Sequence, residues 1–169
     1  MNHLPKLRDF IYSAKLSTYA SGLKSNRYPN HLKEYLFAKD NYLYKDNYYG
    51  SAIDAGLEII YESEIPIWSM SYRGGITEQG VDTKECFKFL IQSLSNVPQS
   101  FPVRGPSFYN AFNYQYINEH QGDILDFIGC EKIFLNGKLI YMKKYFGGVF
   151  NIEGSITSEM ICNSLSINL

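Results

Sequence analysis

Residues 42–76, YLYKDNYYGSAIDAGLEIIYESEIPIWSMSYRGGI, nearly recur as residues 114–149, YQYINEHQGDILDFIGCEKIFLNGKLIYMKKYFGGV. Tyr42, Tyr44 and Gly50 return 72 positions later as Tyr114, Tyr116 and Gly122. One inserted residue then shifts the offset to 73, and Gly56, Glu58, Ile60, Ile67, Tyr72, Gly74 and Gly75 return as Gly129, Glu131, Ile133, Ile140, Tyr145, Gly147 and Gly148. Near-matches fill the gaps: Asp46 with Asn118, Tyr61 with Phe134, Trp68 with Tyr141 and Ile76 with Val149. Ordered self-similarity of this kind is the signature of a duplicated unit. It implies two similar halves related by a pseudo-twofold, with a seam between them where a ligand would sit.

Each copy carries strand signals. Segments 35–38, 42–49, 57–61 and 67–72 are rich in tyrosine and β-branched residues, with Pro66 at a strand start. The second copy gives strands near 114–120, 130–135 and 139–146. Asn136-Gly137 joins the last two, a strong hairpin signal. A helix precedes each copy. Leu7, Phe10, Ile11 and Ala14 mark one face of a helix over residues 5–19; Phe87, Leu90, Ile91, Leu94 and Val97 mark another. Asp82 with Glu85 resembles a capping box, and Pro98 stops the second helix.

The expected fold is therefore α+β. Two helix-plus-antiparallel-meander units form a continuous or closing sheet within one domain, residues 1–150, with halves at about 5–80 and 81–150. Residues 151–169 have no counterpart in the first half. Ile156, Met160, Ile161 and Leu165 there suit a short amphipathic helix or tail that caps the sheet or meets a partner.

Composition narrows the class. Sixteen basic against 17 acidic residues leave a net charge of −1, so no basic stripe calls for direct contact with nucleic acid. Residues 1–6 hold no apolar signal core, and no run approaches the ~18 to 20 apolar residues of a spanning helix. A cytoplasmic protein free of the membrane is expected. The odd, dispersed Cys86, Cys130 and Cys162 argue against a disulfide framework. His3, His31 and His120 are scattered, and no Cys/His pair has metal-ligand spacing, so neither metal nor cofactor is expected. Cys86 and Cys130 read as packing residues. His120 beside Glu119 and near Asp123 reads as a solvated loop.

Several ordered pieces resemble a known family. They are Ala14-Lys15 with Thr18-Tyr19-Ala20; Pro66-Ile67-Trp68 with Met70, Tyr72 and Gly74; and Pro102-Val103-Arg104-Gly105-Pro106 followed by Phe108-Tyr109, Tyr114 and Tyr116. Asn118-Glu119, Gly122-Asp123, Phe127, Gly129, Glu131, Gly137-Lys138 and Tyr141 complete them. From Leu7 to Val149 the chain resembles an uncharacterised bacterial domain-of-unknown-function family whose members occur alone or behind Xre-type helix-turn-helix domains. The resemblance implies a bacterial or phage sensor or sequestering protein, on analogy alone.

The candidate site residues each carry two readings. Glu58 and Glu131 share strand faces with Ile60 and Ile133, which implies partly buried carboxylates. They line a cleft, act as acid and base, or are structural glutamates bonded to tyrosines. Trp68, Tyr72, Tyr141 and Tyr145 offer stacking faces for a planar ligand, or pack a core under the helices. Arg73 before Gly74-Gly75, and Arg104 before Gly105-Pro106, suit an anion or lock local backbone. The leading expectation is a non-enzymatic small-molecule-binding module, with a nucleotide-derived signal as ligand at the seam. The alternatives are a protein-interaction or inhibitor protein acting through its surface or tail, and an acid–base enzyme using Glu58 and Glu131. A homodimer is compatible with either binding role.

Overall fold

A computed structural model describes residues 3–150. The tail expected to form a helix therefore lies outside the described residues. Helix α1 (His3–Ser17) leads through a 3₁₀ turn (Tyr19–Ser21) into β1 (Asn26–Arg27), β2 (Lys33–Lys39), β3 (Tyr42–Gly50), β4 (Ile53–Glu62) and β5 (Ile65–Ile76). Helix α2 (Thr83–Leu94) precedes β6 (Phe108–Ala111), β7 (Tyr114–Asp123), β8 (Asp126–Leu135) and β9 (Lys138–Val149). The α+β expectation holds.

The nine strands of the described residues form one antiparallel sheet in the order β1-β2-β3-β4-β5-β9-β8-β7-β6. The sheet is continuous and open, with β1 and β6 at its edges. Two meanders thus run outward from a central seam between β5 and β9. Their registers match: Asp46 opposes Glu58 as Asn118 opposes Glu131, and Gly56 opposes Tyr72 as Gly129 opposes Tyr145. Each meander has a register shift at the same place, after Ile60 and after Ile133. Across the seam, Tyr72 pairs with Tyr145.

Local chemistry explains the tight connections. Asn136 and Gly137 both take positive φ, 51° and 78°, as a two-residue hairpin turn compatible with strand twist requires. The β4–β5 turn does the same with Ser63 and Glu64. The sequence reading passed over β1 and β6, edge strands of two and four residues that are too short to show alternation.

The helices cover one face. α1 buries Leu7, Phe10, Ile11 and Ala14, the stripe read from its spacing. α2 is capped by Asp82, whose carboxylate accepts from the amides of Lys84 and Glu85. Its buried face is Cys86, Phe89, Leu90, Ser93 and Leu94, rotated from the expected stripe. Phe87 and Ile91 are left half-buried, because Phe89 stacks on Tyr114 at 5.0 Å and pulls that side onto the sheet. Trp68, Met70, Tyr141 and Tyr145 are buried beneath the helical layer and loop 97–106. On the opposite face Leu36, Ile53, Leu57 and Phe146 are solvent-exposed. Among the described residues, no helix is long and apolar enough to cross a membrane.

Candidate functional site

Strand alternation puts Tyr44, Asp46, Glu58, Ile60, Met70 and Tyr72 on the helix-covered face of the first meander. The second meander places Tyr116, Asn118, Glu131, Ile133, Tyr141, Lys143 and Tyr145 there. Polar groups on a buried face need partners. The two halves meet that demand differently.

In the second half, Glu131 is fully buried and saturated. Arg104, on the connector after α2, holds it bidentately through Nε at 3.1 Å and through Nη2. The hydroxyls of Tyr116 and Tyr141 each donate to it at 2.9 Å. Four donors fill the sites an ionised carboxylate offers. Burial pushes the carboxyl pKa up, but Arg104's charge and hydrogen bonds outweigh it, and Glu131 titrates below its ordinary value. Asn118 is likewise complete: its Oδ1 accepts from the Tyr145 hydroxyl at 2.7 Å and its Nδ2 donates to Gly105 O at 3.0 Å. Phe101 packs on His120 and Phe127, and Arg104 and the Gly105 carbonyl supply partners for Glu131 and Asn118, so the connector closes this half.

In the first half the corresponding glutamate, Glu58, is paired with Lys15 from the last turn of α1, and the Tyr44 hydroxyl faces it. Burial lowers the Lys15 pKa despite Glu58's opposing charge. Asp46 occupies the position of Asn118. Its Oδ1 accepts from the Tyr72 hydroxyl at 2.8 Å. Tyr72 lies over Gly56, as Tyr145 lies over Gly129; a Cβ at either glycine would collide with the tyrosine ring. Lys143 departs from the repeat, standing where the first half has Met70. It reaches across the seam to Asp54 at 2.6 Å, with its Nζ 4.7 Å from the Tyr72 ring centre.

Here the structure opens a cavity. Its walls come from α1 and the 3₁₀ turn (Lys15, Tyr19), from the sheet (Tyr44, Asp46, Glu58, Tyr72) and from loop residues Val97, Val103 and Arg104. Its water-accessible volume is about 40 Å³, room for roughly three waters. Three cations (Lys15, Arg104 and Lys143) face four carboxylates (Asp46, Asp54, Glu58 and Glu131). Each cation is committed to an ion pair with a carboxylate other than Asp46. Burial, reinforced by the negative charge of Glu58, pushes the Asp46 carboxyl up to about 7.

Of the expected site residues, Glu58, Tyr72 and Arg104 line this cavity. Arg104 is not free for an anion, because Glu131 takes its fork. Glu131 lies behind Arg104 in the sealed half. Trp68, Tyr141 and Tyr145 are core residues with assigned partners; Trp68 donates its Nε1 hydrogen to Ile124 O at 3.0 Å. Arg73 sits in β5 next to inward-facing Tyr72, so alternation turns it to the exposed face, and Gly74-Gly75 continue the strand rather than forming an anion-binding turn. His120 lies in β7 and stacks on Phe101 with ring centres 3.7 Å apart. Burial lowers its pKa. The sequence reading did not place Lys15, Asp46, Asp54 or Lys143 among its site residues.

Fold and site together define an open antiparallel meander sheet, covered on one face, with a small charged cavity beside its seam. The family model for Domain of unknown function (DUF5680) matches residues 46–150, and the chain belongs to that family. The matched span holds Asp46, Asp54, Glu58, Tyr72, Arg104 and Lys143, whereas α1 and β2 precede it. No curated protein and no solved structure matches the chain.

Proposed function

We propose that the protein is a small-molecule-binding module, acting as a sensor or a sequestering protein, with its ligand seat in the cavity beside the β5/β9 seam. One observation carries this reading. Two positions of matching register are finished differently: Asn118 is sealed by the connector, whereas Asp46 is left beside open space with a single protein donor. A buried carboxylate in a cavity, with a pKa displaced by burial and a neighbouring charge, is the pattern of a functional site. The matching registers, bulges and glycine–tyrosine contacts support taking the two meanders as copies of one duplicated unit, one copy closed for stability and the other kept open.

The volume favours a ligand of a few heavy atoms, or the polar head of a larger one. A nucleotide would leave its base outside, since Trp68, Tyr141 and Tyr145 are inside the core. The proposal is of binding without turnover, because Glu58 and Glu131 are both committed to ion pairs. The test is a thermal-shift screen of small polar metabolites, with mass spectrometry of whatever co-purifies. A ligand at a hundred times its dissociation constant adds ~2.7 kcal/mol of stability. The reading falls if no compound raises the melting temperature and nothing co-purifies.

A second reading, interaction with another protein or a second copy, is favoured by the uncovered sheet face. Leu57, Ser71, Phe146 and Ile128 make one cross-strand row there, and Leu57 and Phe146 are 41% and 58% exposed. Exposed apolar surface of this kind marks association sites. A monomer in solution, with mass and solubility unchanged by Leu57→Lys and Phe146→Lys, would remove it.

A further inference from the structure

We propose that the cavity is the seat of a small organic cation, a primary ammonium group held by Asp46 and walled by tyrosine rings. This rests on the binding reading above and names the ligand class for the same site.

The charges around the cavity set the sign. Lys15, Arg104 and Lys143 are each paired, with Glu58, Glu131 and Asp54. Among the described residues that line the cavity, an incoming anion finds no ammonium or guanidinium without a carboxylate partner, and it must approach three carboxylates. An incoming ammonium finds Asp46, the one carboxylate in the cluster without an ion-pair partner among the described residues. Hydrogen bonding agrees. Asp46 takes one protein donor, from Tyr72, and a carboxylate can accept several more. An ammonium, with three donors and no acceptor, complements that vacancy, whereas a carboxylate or phosphate ligand does not.

The walls point the same way. Tyr19, Tyr35, Tyr44, Tyr48 and Tyr72 all border the cavity. Ring faces attract cations, and three of these rings already serve the protein's own ammonium groups. Lys15 Nζ stands 5.7 Å from the Tyr44 ring centre, Lys143 Nζ 4.7 Å from Tyr72 and Lys33 Nζ 5.4 Å from Tyr48. Volume limits the guest. About 40 Å³ admits the ammonium and its first carbons, with any longer chain directed out through the mouth.

The sealed half supplies the contrast. With Asn118 in place of Asp46, and Gly105 O taking the amide hydrogen, that position needs no cation. The titratable groups facing Asp46 are Glu58, Tyr72, Lys15 and Lys143, with Tyr44 and Tyr35 also in its field. Glu58's charge opposes ionisation of Asp46 and the two lysines favour it, so a bound ammonium strengthens as Asp46 gives up its proton.

The full-length protein is tested by calorimetry and thermal shift with methylammonium, ethylammonium and ethanolammonium chlorides, at matched ionic strength and at pH 5.5 and 8. Acetate and acetamide serve as anionic and neutral counter-probes. The expected result is saturable amine binding at pH 8, at least tenfold weaker at pH 5.5. Asp46→Asn abolishes it while unfolding cooperatively, Tyr48→Leu weakens it severalfold, and the surface control Glu64→Gln leaves it unchanged. Amine binding that survives Asp46→Asn overturns the proposal. If acetate or acetamide binds and the amines do not, the cation assignment falls and the binding module stands. If none of the probes binds, the cation assignment falls, and if the metabolite screen is also blank, both fall.

Discussion

Replacing Asp46 with asparagine should make this protein more stable at alkaline pH. In the folded state the Asp46 carboxyl is pushed from its ordinary 3.8 up to about 7. The folded chain therefore holds a proton that the unfolded chain has released. The stability carried by the protonated group is fully present below about pH 4 and is lost as pH rises through about 7. Each pH unit in that window is worth about 1.4 kcal/mol, so roughly 3 kcal/mol disappears between pH 5 and pH 8. Asparagine has no such dependence. It keeps the acceptor, because Tyr145 donates to Asn118 at 2.7 Å in the matching position much as Tyr72 donates to Asp46 at 2.8 Å. Urea unfolding of both proteins at pH 5, 6, 7 and 8, at fixed ionic strength, measures the difference directly. The gap in favour of Asp46→Asn should widen by roughly 3 kcal/mol across the series. A constant gap, or a variant less stable than the parent at pH 8, would refute the reasoning. A gain in stability at the cost of binding would mark Asp46 as a residue kept for function.

Arg104→Ala should cost about 3–5 kcal/mol in denaturant titration by stranding the buried Glu131 charge, and adding Glu131→Gln should recover part of that; a loss under about 1 kcal/mol contradicts the sealed-half description. Gly129→Ala forces a methyl group into Tyr145, and its melting temperature should fall by the equivalent of about 1–3 kcal/mol, with no loss if the strand spreads freely. Trp68→Phe removes the hydrogen bond to Ile124 O and should cost about 1–3 kcal/mol while leaving any ligand affinity untouched, because the indole is core and not cavity wall; a change in affinity at constant stability would reverse that assignment.

What the sequence disclosed was set by how local each signal is. The α1 stripe is unambiguous because only one apolar face exists. In α2, apolar residues at 86, 87, 89, 90, 91 and 94 allow two faces, and the sheet chooses between them. Glu58 and Glu131 were readable as unusual because each interrupts an inward-facing apolar alternation. Their partners were not, since Lys15 lies 43 residues from Glu58 and Lys143 reaches Asp54 from across the seam. Arg73 could have been placed on the exposed face from strand parity with Tyr72. Matching the two segments does not single out the cavity residues, because Asp46 against Asn118 and Lys143 against Met70 are positions where the segments differ.

The seam also bears on how the chain reaches its fold. Every strand pair except one joins sequence neighbours through a hairpin-like connection; β5 with β9 is the exception. That ladder joins residues from Ile76↔Tyr141 to Trp68↔Val149, separations of 65 to 81 residues. Forming it means closing a loop that contains α2 and the whole second meander, and such closure is entropically costly relative to the hairpins. Low contact order within each half and high contact order between them favour early local meanders and late joining. Amide exchange should then divide the protein into two protected blocks, with the β5–β9 hydrogen bonds opening at lower free energy than either block unfolds. Because the cavity borrows Lys143 and loop 97–104 from beyond that ladder, a ligand bound there would act as a staple between two folding units.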